Sequence, residues 1–124
     1  MKNNLILTIA TTLIFLSCNK DKTASIDVNK EINIGVVKVG DTIKKTFLIK
    51  NSSSTDLKIK NIKSSCGCTV AKLNDSIIIE NGITNLIVEF IADKDKIGKV
   101  KNSIVVEANT NPVFTVLYLT GTVK

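Results

Sequence analysis

The feature that most constrains the fold is an alternation of apolar and polar residues that begins at Ile26 and continues almost to the end of the chain. Successive side chains of a strand point to opposite faces, so apolar residues at every second position indicate half-buried β-strands. Residues 57–60 show the pattern in its shortest form. Longer segments place these residues on an expected inward face: Ile43, Phe47 and Ile49; Leu86, Val88 and Phe90; Ile104 and Val106; Val113, Leu117 and Leu119.

Clusters of turn-forming residues separate these segments. Gly, Asn, Asp, Ser and Pro gather at positions 40–41, 51–56, 74–75, 81–82, 93–98 and 109–112, and these residue types favour turns. About seven strands at this spacing, in ~100 residues, predict one immunoglobulin-like β-sandwich, an all-β domain over residues 26–124. A small β-barrel is the alternative, because periodicity alone does not distinguish the two architectures.

The first seventeen residues have the build of a secretory signal peptide. Lys2 is followed by an uncharged, mainly apolar run at residues 5–16. A helix of this length spans about 18 Å, short of the ~30 Å hydrocarbon core of a bilayer, and such a run after a basic start is typical of a signal peptide. Phe15-Leu16-Ser17-Cys18 resembles a lipobox. The sequence therefore predicts a lipoprotein signal peptide at 1–17 and acylation of Cys18.

A flexible tether is expected at residues 18–25, directly behind the lipid. Residues 19–25 are mostly polar and show no apolar period. Several acyl chains anchor a protein stably where a single chain does not, so the membrane is an expected partner through the N-terminal lipid. Asn19 stands where an aspartate typically retains lipoproteins in the inner membrane, which favours the outer membrane of the cell envelope. Periplasmic and surface display both remain open.

The basic charge does not indicate a nucleic-acid partner. The net charge is +6, yet all seventeen basic residues are lysine and aromatic residues are only 4% of the chain. Arginine is the residue that grips phosphate and guanine bidentately, and aromatic rings are needed to stack bases. The lysines are spread along the strands, which is typical of a solvated face.

Two cysteines remain once Cys18 is acylated, and they form the motif Cys66-Gly67-Cys68. Alternate residues of a strand have Cα atoms ~6.5–6.8 Å apart, whereas a relaxed disulfide favours about 5.5–6 Å, so a bridge requires a kink that Gly67 permits. Three interpretations stay open: a structural pair, bridged or free; a labile disulfide for redox exchange; or a soft-metal site for Cu(I) or shared zinc.

Catalysis of the common kinds finds little support in the sequence. Histidine is absent from the chain, which excludes Ser-His and Cys-His pairs, and no pair of carboxylates stands out. The sequence therefore predicts no catalytic residue and no cofactor. It favours a non-enzymatic interaction or structural module with a protein or glycan partner in the envelope. A thiol-redox or Cu(I)-handling lipoprotein is the alternative, and the oligomeric state is not specified.

The segment Ser65-Cys66-Gly67-Cys68-Thr69 resembles the signature of a family of exported bacterial proteins known as domain of unknown function 1573. The similarity continues in the glycines at 35, 40 and 98 and in residues 109–112 and 119–121, and so covers almost the whole chain after the leader. Ala71 and Asn81 depart from it, because prolines are common there. The resemblance implies an immunoglobulin-like, often lipid-anchored domain and brings no established activity.

Two short triplets are candidate O-glycosylation sites. Asp41-Thr42-Ile43 and Asp75-Ser76-Ile77 resemble the Asp-(Ser/Thr)-apolar acceptor used by some Gram-negative bacteria. The residues that would carry the glycan are Thr42 and Ser76.

Overall fold

The computed structural model of the protein describes residues 23–124. The predicted signal peptide, the predicted lipidation site Cys18 and most of the predicted tether lie outside the described residues. Residues 23–124 form nine β-strands and one short 3₁₀ helix (Lys94–Lys96). The strands are β1 (Ile26–Asp27), β2 (Glu31–Val37), β3 (Thr42–Asn51), β4 (Leu57–Ser64), β5 (Thr69–Leu73), β6 (Ile77–Ile78), β7 (Ile83–Ile91), β8 (Gly98–Ala108) and β9 (Phe114–Val123).

The strands form two sheets that share one hydrophobic core. The four-stranded sheet has the order β1-β3-β7-β5, and the five-stranded sheet has the order β2-β9-β8-β4-β6. In the described part of the chain, seven strands have five or more residues, while β1 and β6 have two residues each. The prediction of an all-β sandwich of about seven strands is therefore confirmed. No helix within residues 23–124 is long and apolar enough to cross a membrane.

Each sheet contains one long antiparallel strand pair. β3 pairs with β7 from Thr42↔Ile91 to Lys50↔Ile83, and β8 pairs with β9 along its length. β2 instead runs parallel to β9, with a shift of register between Asn33 and Val36. Gly35 lies within this shift at a φ of 74°, a backbone conformation that glycine adopts at no steric cost.

The core consists largely of the residues that the alternation predicts to face inward. Phe47, Ile49, Leu86, Val88, Phe90, Ile104, Val106, Leu117 and Leu119 are all buried, and Ile43 packs against them half-buried. Val113 is the exception. It is 44% exposed and lies in the turn before β9, which begins at Phe114. Its prediction as an inward residue is therefore wrong, because the alternation does not start until the chain has left the turn.

The folded domain begins slightly earlier than the sequence indicates. Ala24 is 3% exposed, and its backbone N–H donates to the carbonyl oxygen of Asn109 at 2.9 Å. The carbonyl oxygen of Ser25 accepts a hydrogen bond from the N–H of Ser52 at 3.1 Å. Ala24 and Ser25, which are expected in the tether, thus both belong to the sandwich: Ala24 is buried, and Ser25 is held through its backbone while its side chain is exposed. The chain thus enters the domain beside the turn that joins β8 to β9.

Candidate functional site

The Cys-Gly-Cys motif forms the connection by which the chain passes from one sheet to the other. β4 of the five-stranded sheet ends at Ser64, and β5 of the four-stranded sheet begins at Thr69. Ser65 fixes the start of this connection, because its N–H donates to the carbonyl oxygen of Ser103 at 2.9 Å and its Oγ accepts from the N–H of Ser103 at 3.0 Å. The motif is therefore held beside β8, just beyond the end of β4.

Cys66 and Cys68 are joined by a disulfide, with their Cα atoms 5.2 Å apart. The separation expected for alternate residues of a strand does not apply, because both cysteines lie in the turn before β5. The N–H of Thr69 donates to the carbonyl oxygen of Cys66 at 3.1 Å, which closes the turn and brings the two cysteines together. Since both sulfurs are in the bond, neither is a thiolate ligand in this state.

The disulfide is a weak cross-link for the chain as a whole. Its partners are two positions apart, and the loop-closure relation gives roughly 1.6 kcal/mol for so short a loop, against ~3 kcal/mol for a fifteen-residue loop. The disulfide does not link segments that are distant in the sequence. The bridge therefore fixes the shape of a turn and contributes little to holding the two sheets together.

Two N–H donors face the sulfur atoms. The backbone N–H of Cys68 donates to Sγ of Cys66 at 3.1 Å. The side-chain amide of Asn102, on β8, lies 3.7 Å from Sγ of Cys68 and donates to Oγ1 of Thr69 at 3.1 Å. Asn102 and Thr69 are both buried. Sequence reasoning missed Asn102, although an asparagine between Val100 and Ile104 on the inward face of a strand is a visible signal.

A groove of about 440 Å³, which we name the cysteine groove, opens beside the disulfide. The loop after β7 forms its other wall, and it is lined by Cys66, Gly67, Cys68, Ile91, Asp93, Asp95 and Lys96. Ile91 belongs to both walls, since its N–H donates to the carbonyl oxygen of Cys68 at 2.9 Å. Apart from its two neighbours in the chain, a Cβ added at Gly67 would meet no atom within 4 Å. Gly67 is thus an exposed position directly beside the disulfide.

The predicted glycosylation sites lie on different sheets. Thr42 is exposed at the start of β3 and pairs with Ile91, so it adjoins the cysteine groove. Ser76 is exposed just before β6. Their modification stays a prediction, as does the redox or metal chemistry of Cys66 and Cys68. In the part of the chain that the structure describes, no three His, Cys, Asp or Glu side chains cluster as metal ligands would.

A second surface that the sequence did not indicate is the outer edge of β3. β1 pairs with β3 only at Lys50 and Asn51, so within the described residues the stretch 42–49 has no strand on this side. The N–H of Asn51 donates to Gly82 at 3.0 Å, and the N–H of Ala92 donates to the carbonyl oxygen of Asp41 at 2.9 Å. Both contacts lie on the β7 side of the sheet.

The direction of the remaining backbone groups follows from this register. Backbone groups of an antiparallel strand point alternately to its two neighbours, and odd-numbered residues of β3 face β7. The N–H and C=O groups of Lys44, Thr46 and Leu48 therefore point to the open edge. A shallow groove of about 410 Å³, which we name the edge groove, runs beside them between Val28 and Ile83.

Comparison with solved structures shows the fold. A protein of unknown function from Porphyromonas gingivalis W83 superposes with a TM-score of 0.74 at 15% identity, over 87% of this chain and 50% of that chain. This protein thus spans half the length of the Porphyromonas chain. The ASH/PapD-like domain 7 of human CEP192 superposes with a TM-score of 0.67 at 15% identity, over 82% of this chain and 87% of that domain.

A secreted serine protease of Vibrio cholerae, VesC, also matches, with a TM-score of 0.64 at 9% identity over 80% of this chain, but only over 23% of the protease chain. Identities this low show a shared PapD-like, immunoglobulin-like sandwich and nothing of activity. Among curated proteins, no sequence matches this chain significantly. A family model described as "Protein of unknown function (DUF1573)" matches residues 25–123, and the chain belongs to that family.

Proposed function

We propose that this protein is a lipid-anchored, non-enzymatic binding module of the bacterial cell envelope, and that it holds an extended segment of a partner protein against the open edge of β3. The observation that carries the binding role is the row of backbone groups at Lys44, Thr46 and Leu48, which point away from β7. An unpaired strand edge is a template for an added strand, in which main-chain hydrogen bonds supply affinity and alternate side chains supply specificity.

Side chains beside the edge favour an acidic and apolar partner. Leu48 is 60% exposed and Ile83 is 58% exposed, and both line the edge groove. β3 itself carries Lys44, Lys45 and Lys50. Lys44 lies 3.4 Å from Glu89, but both side chains are well exposed and such a pair contributes little. An extended segment that alternates apolar residues with Asp or Glu complements this surface.

Binding is tested with a defined peptide. The probe is a peptide of about ten residues that alternates Val and Glu, matched to the ten residues of β3, and a Val-Lys peptide is the control. We expect the acidic peptide to shift the amide signals of residues 44, 46 and 48 in NMR spectra. It should bind about tenfold more tightly than the basic one at low salt, with a difference that shrinks as salt screens the charges.

A matched pair of variants separates the edge of β3 from the opposite edge of the same sheet, which β5 forms. Leu48→Glu places a carboxylate at the open edge, whereas Val70→Glu makes the same change on β5, where Val70 is 56% exposed. Only Leu48→Glu should weaken binding of the acidic peptide. Equal affinity for the two peptides, or signal shifts confined to residues outside β3, contradicts the proposal.

The anchor is tested independently at Cys18. Support for it comes from the lipobox-like Phe15-Leu16-Ser17-Cys18 and from Asn19, which favours the outer membrane. We expect Cys18→Ala to move the chain from the membrane fraction to the soluble fraction and to abolish incorporation of labelled fatty acid. The thermal unfolding midpoint should stay unchanged, since the sandwich begins at Ala24. Labelling that persists in Cys18→Ala would show that the lipid is attached elsewhere, and a wild-type chain that takes up no label would show that it is absent.

A further inference from the structure

The two sulfurs of the disulfide have different surroundings. Cys68 packs against the hydrophobic core, and its Sγ lies 3.7 Å from the amide nitrogen of the buried Asn102. Both cysteines line the cysteine groove, but of the two only Cys68 is packed against the core. An incoming nucleophile therefore reaches Cys66 more directly than it reaches Cys68.

Each sulfur of the disulfide has an N–H donor beside it, the backbone N–H of Cys68 at 3.1 Å from Sγ of Cys66 and the Asn102 amide at 3.7 Å from Sγ of Cys68. The assignment of Cys68 as the leaving sulfur therefore rests on its packing against the core, which leaves Cys66 as the sulfur to be attacked. In thiol–disulfide exchange the attacked sulfur enters a mixed disulfide, and the other sulfur leaves with the electron pair of the broken bond. Negative charge then develops on the leaving sulfur, where an N–H donor stabilises it. Asn102 supplies such a donor at Cys68, and the contact of its amide with Thr69, 3.1 Å long, holds it in place.

We propose that the Cys66–Cys68 disulfide exchanges with the dithiol of a partner protein, with Cys66 as the attacked sulfur, Cys68 as the leaving sulfur and Asn102 as a positioning residue for the leaving thiolate. This goes beyond the binding role, because the cysteine groove and the edge of β3 are separate surfaces.

The reaction balances in two steps. A thiolate of the partner bonds to Sγ of Cys66, the Cys66–Cys68 bond breaks, and Cys68 leaves as a thiolate that takes up a proton. The partner's second thiolate then bonds to its first sulfur and releases Cys66, which also becomes a thiol. The partner dithiol is oxidised by two electrons, and this disulfide is reduced by the same two. A partner disulfide reverses the sequence.

The rim of the cysteine groove is suited to another protein. Ile91 is 46% exposed, and Ile97, just beyond Lys96, is 65% exposed. Asp93, Asp95 and Lys96 add charges of both signs beside them. Exposed apolar residues bordered by charges are typical of a site that contacts a protein surface.

The experiment uses a trapping dithiol protein: thioredoxin whose second active-site cysteine is replaced by serine, so that the mixed disulfide is not resolved. The purified, oxidised chain is mixed with this probe, and the adduct is mapped by mass spectrometry. We expect an adduct at Cys66. Peptide fragmentation assigns the adduct to one sulfur. Adducts of Cys66→Ser and Cys68→Ser serve as standards, made by treating each free thiol with the probe already activated as a mixed disulfide with thionitrobenzoate, which leaves as the free thiolate. Failure of the oxidised chain to form an adduct overturns the proposal, and an adduct mainly at Cys68 overturns the assignment of roles.

Asn102→Ala tests the positioning role. We expect the rate of adduct formation to fall about tenfold, the equivalent of one charge-assisted hydrogen bond, and a larger share of the adduct to appear at Cys68. A purely structural role would leave that share unchanged.

Gly67→Val, which adds bulk at an exposed position beside the disulfide, should also slow the reaction about tenfold at an unchanged unfolding midpoint. Wild-type rates in both variants contradict the mechanism.

Discussion

Asn51 is a polar side chain that the fold buries completely and surrounds with hydrogen bonds. It is 0% exposed. Its amide nitrogen donates to the carbonyl oxygens of Thr55 at 2.8 Å and Ile78 at 2.9 Å, and its Oδ1 accepts from the N–H of Ser53 at 2.9 Å. One side chain thus connects the end of β3, the loop that follows it and the short strand β6.

Removing this side chain should destabilise the protein strongly. Asn51→Ala removes one buried hydrogen bond, to Ile78, and three part-buried ones, to Thr55 and to the N–H and hydroxyl of Ser53, and a lost bond costs about 1 kcal/mol. We expect the free energy of unfolding to fall by about 3 kcal/mol in urea titration. Asn61→Ala, at an exposed position of β4, is the control and should stay within ~0.5 kcal/mol of the wild type. Similar losses in the two variants would contradict the role assigned to Asn51.

At the scale of residues, the sequence predicted the apolar core well and its polar members poorly. Alternation identified Phe47, Leu86 and Phe90 because the inward face of a strand shows as an apolar residue at every second position of the sequence. Asn102 lies at an inward position of the same kind of strand, but its role depends on Thr69 and Cys68, which are more than thirty positions away. A pattern within one strand does not contain that contact.

Neighbouring residues of β3 should respond very differently to proline, because their backbone groups point to opposite sides. The N–H of Lys45 points to β7, so Lys45→Pro removes a ladder hydrogen bond and places the proline ring against the neighbouring strand. The N–H of Thr46 points to the open edge, where proline is tolerated. We expect Lys45→Pro to lose roughly 2 kcal/mol more stability than Thr46→Pro in urea titration. Equal losses would show that the backbone directions assigned to the edge are wrong.

At the scale of elements, most of the long strands could be predicted from the sequence, whereas which strands pair with each other could not. Five of the long strands, β3, β4, β7, β8 and β9, carry the alternation identified in the sequence. β1 and β6, at two residues each, are too short to show a period. The parallel pairing of β2 with β9 joins Glu31 to Tyr118, and the open edge of β3 exists only because β1 is short. Both depend on contacts distant in sequence, which local patterns do not specify.

The two ends of the sandwich have different roles in the proposed function. The chain enters the domain at Ala24, which bonds to Asn109 beyond the end of β8. The disulfide lies beside Asn102 on the same strand. These two positions are seven residues apart along β8, which corresponds to roughly 23 Å at ~3.3 Å per residue. A lipid on Cys18 would hold the Asn109 end near the membrane and leave the cysteine groove facing away from it.

This orientation is tested by labelling two exposed positions at opposite ends. Val113 is 44% exposed in the turn near Ala24, and Ile97 is 65% exposed beside the cysteine groove. Each is replaced by cysteine in a chain that carries Cys66→Ser and Cys68→Ser. The lipidated chain in vesicles is then treated with a bulky polymer-linked maleimide, with the Cys18→Ala form in solution as the reference. Because a bilayer excludes a bulky reagent from nearby surfaces, labelling of Val113→Cys should slow several-fold in vesicles, while Ile97→Cys should react at its solution rate. The reverse order would place the cysteine groove against the membrane, where a dithiol protein in solution does not reach Cys66.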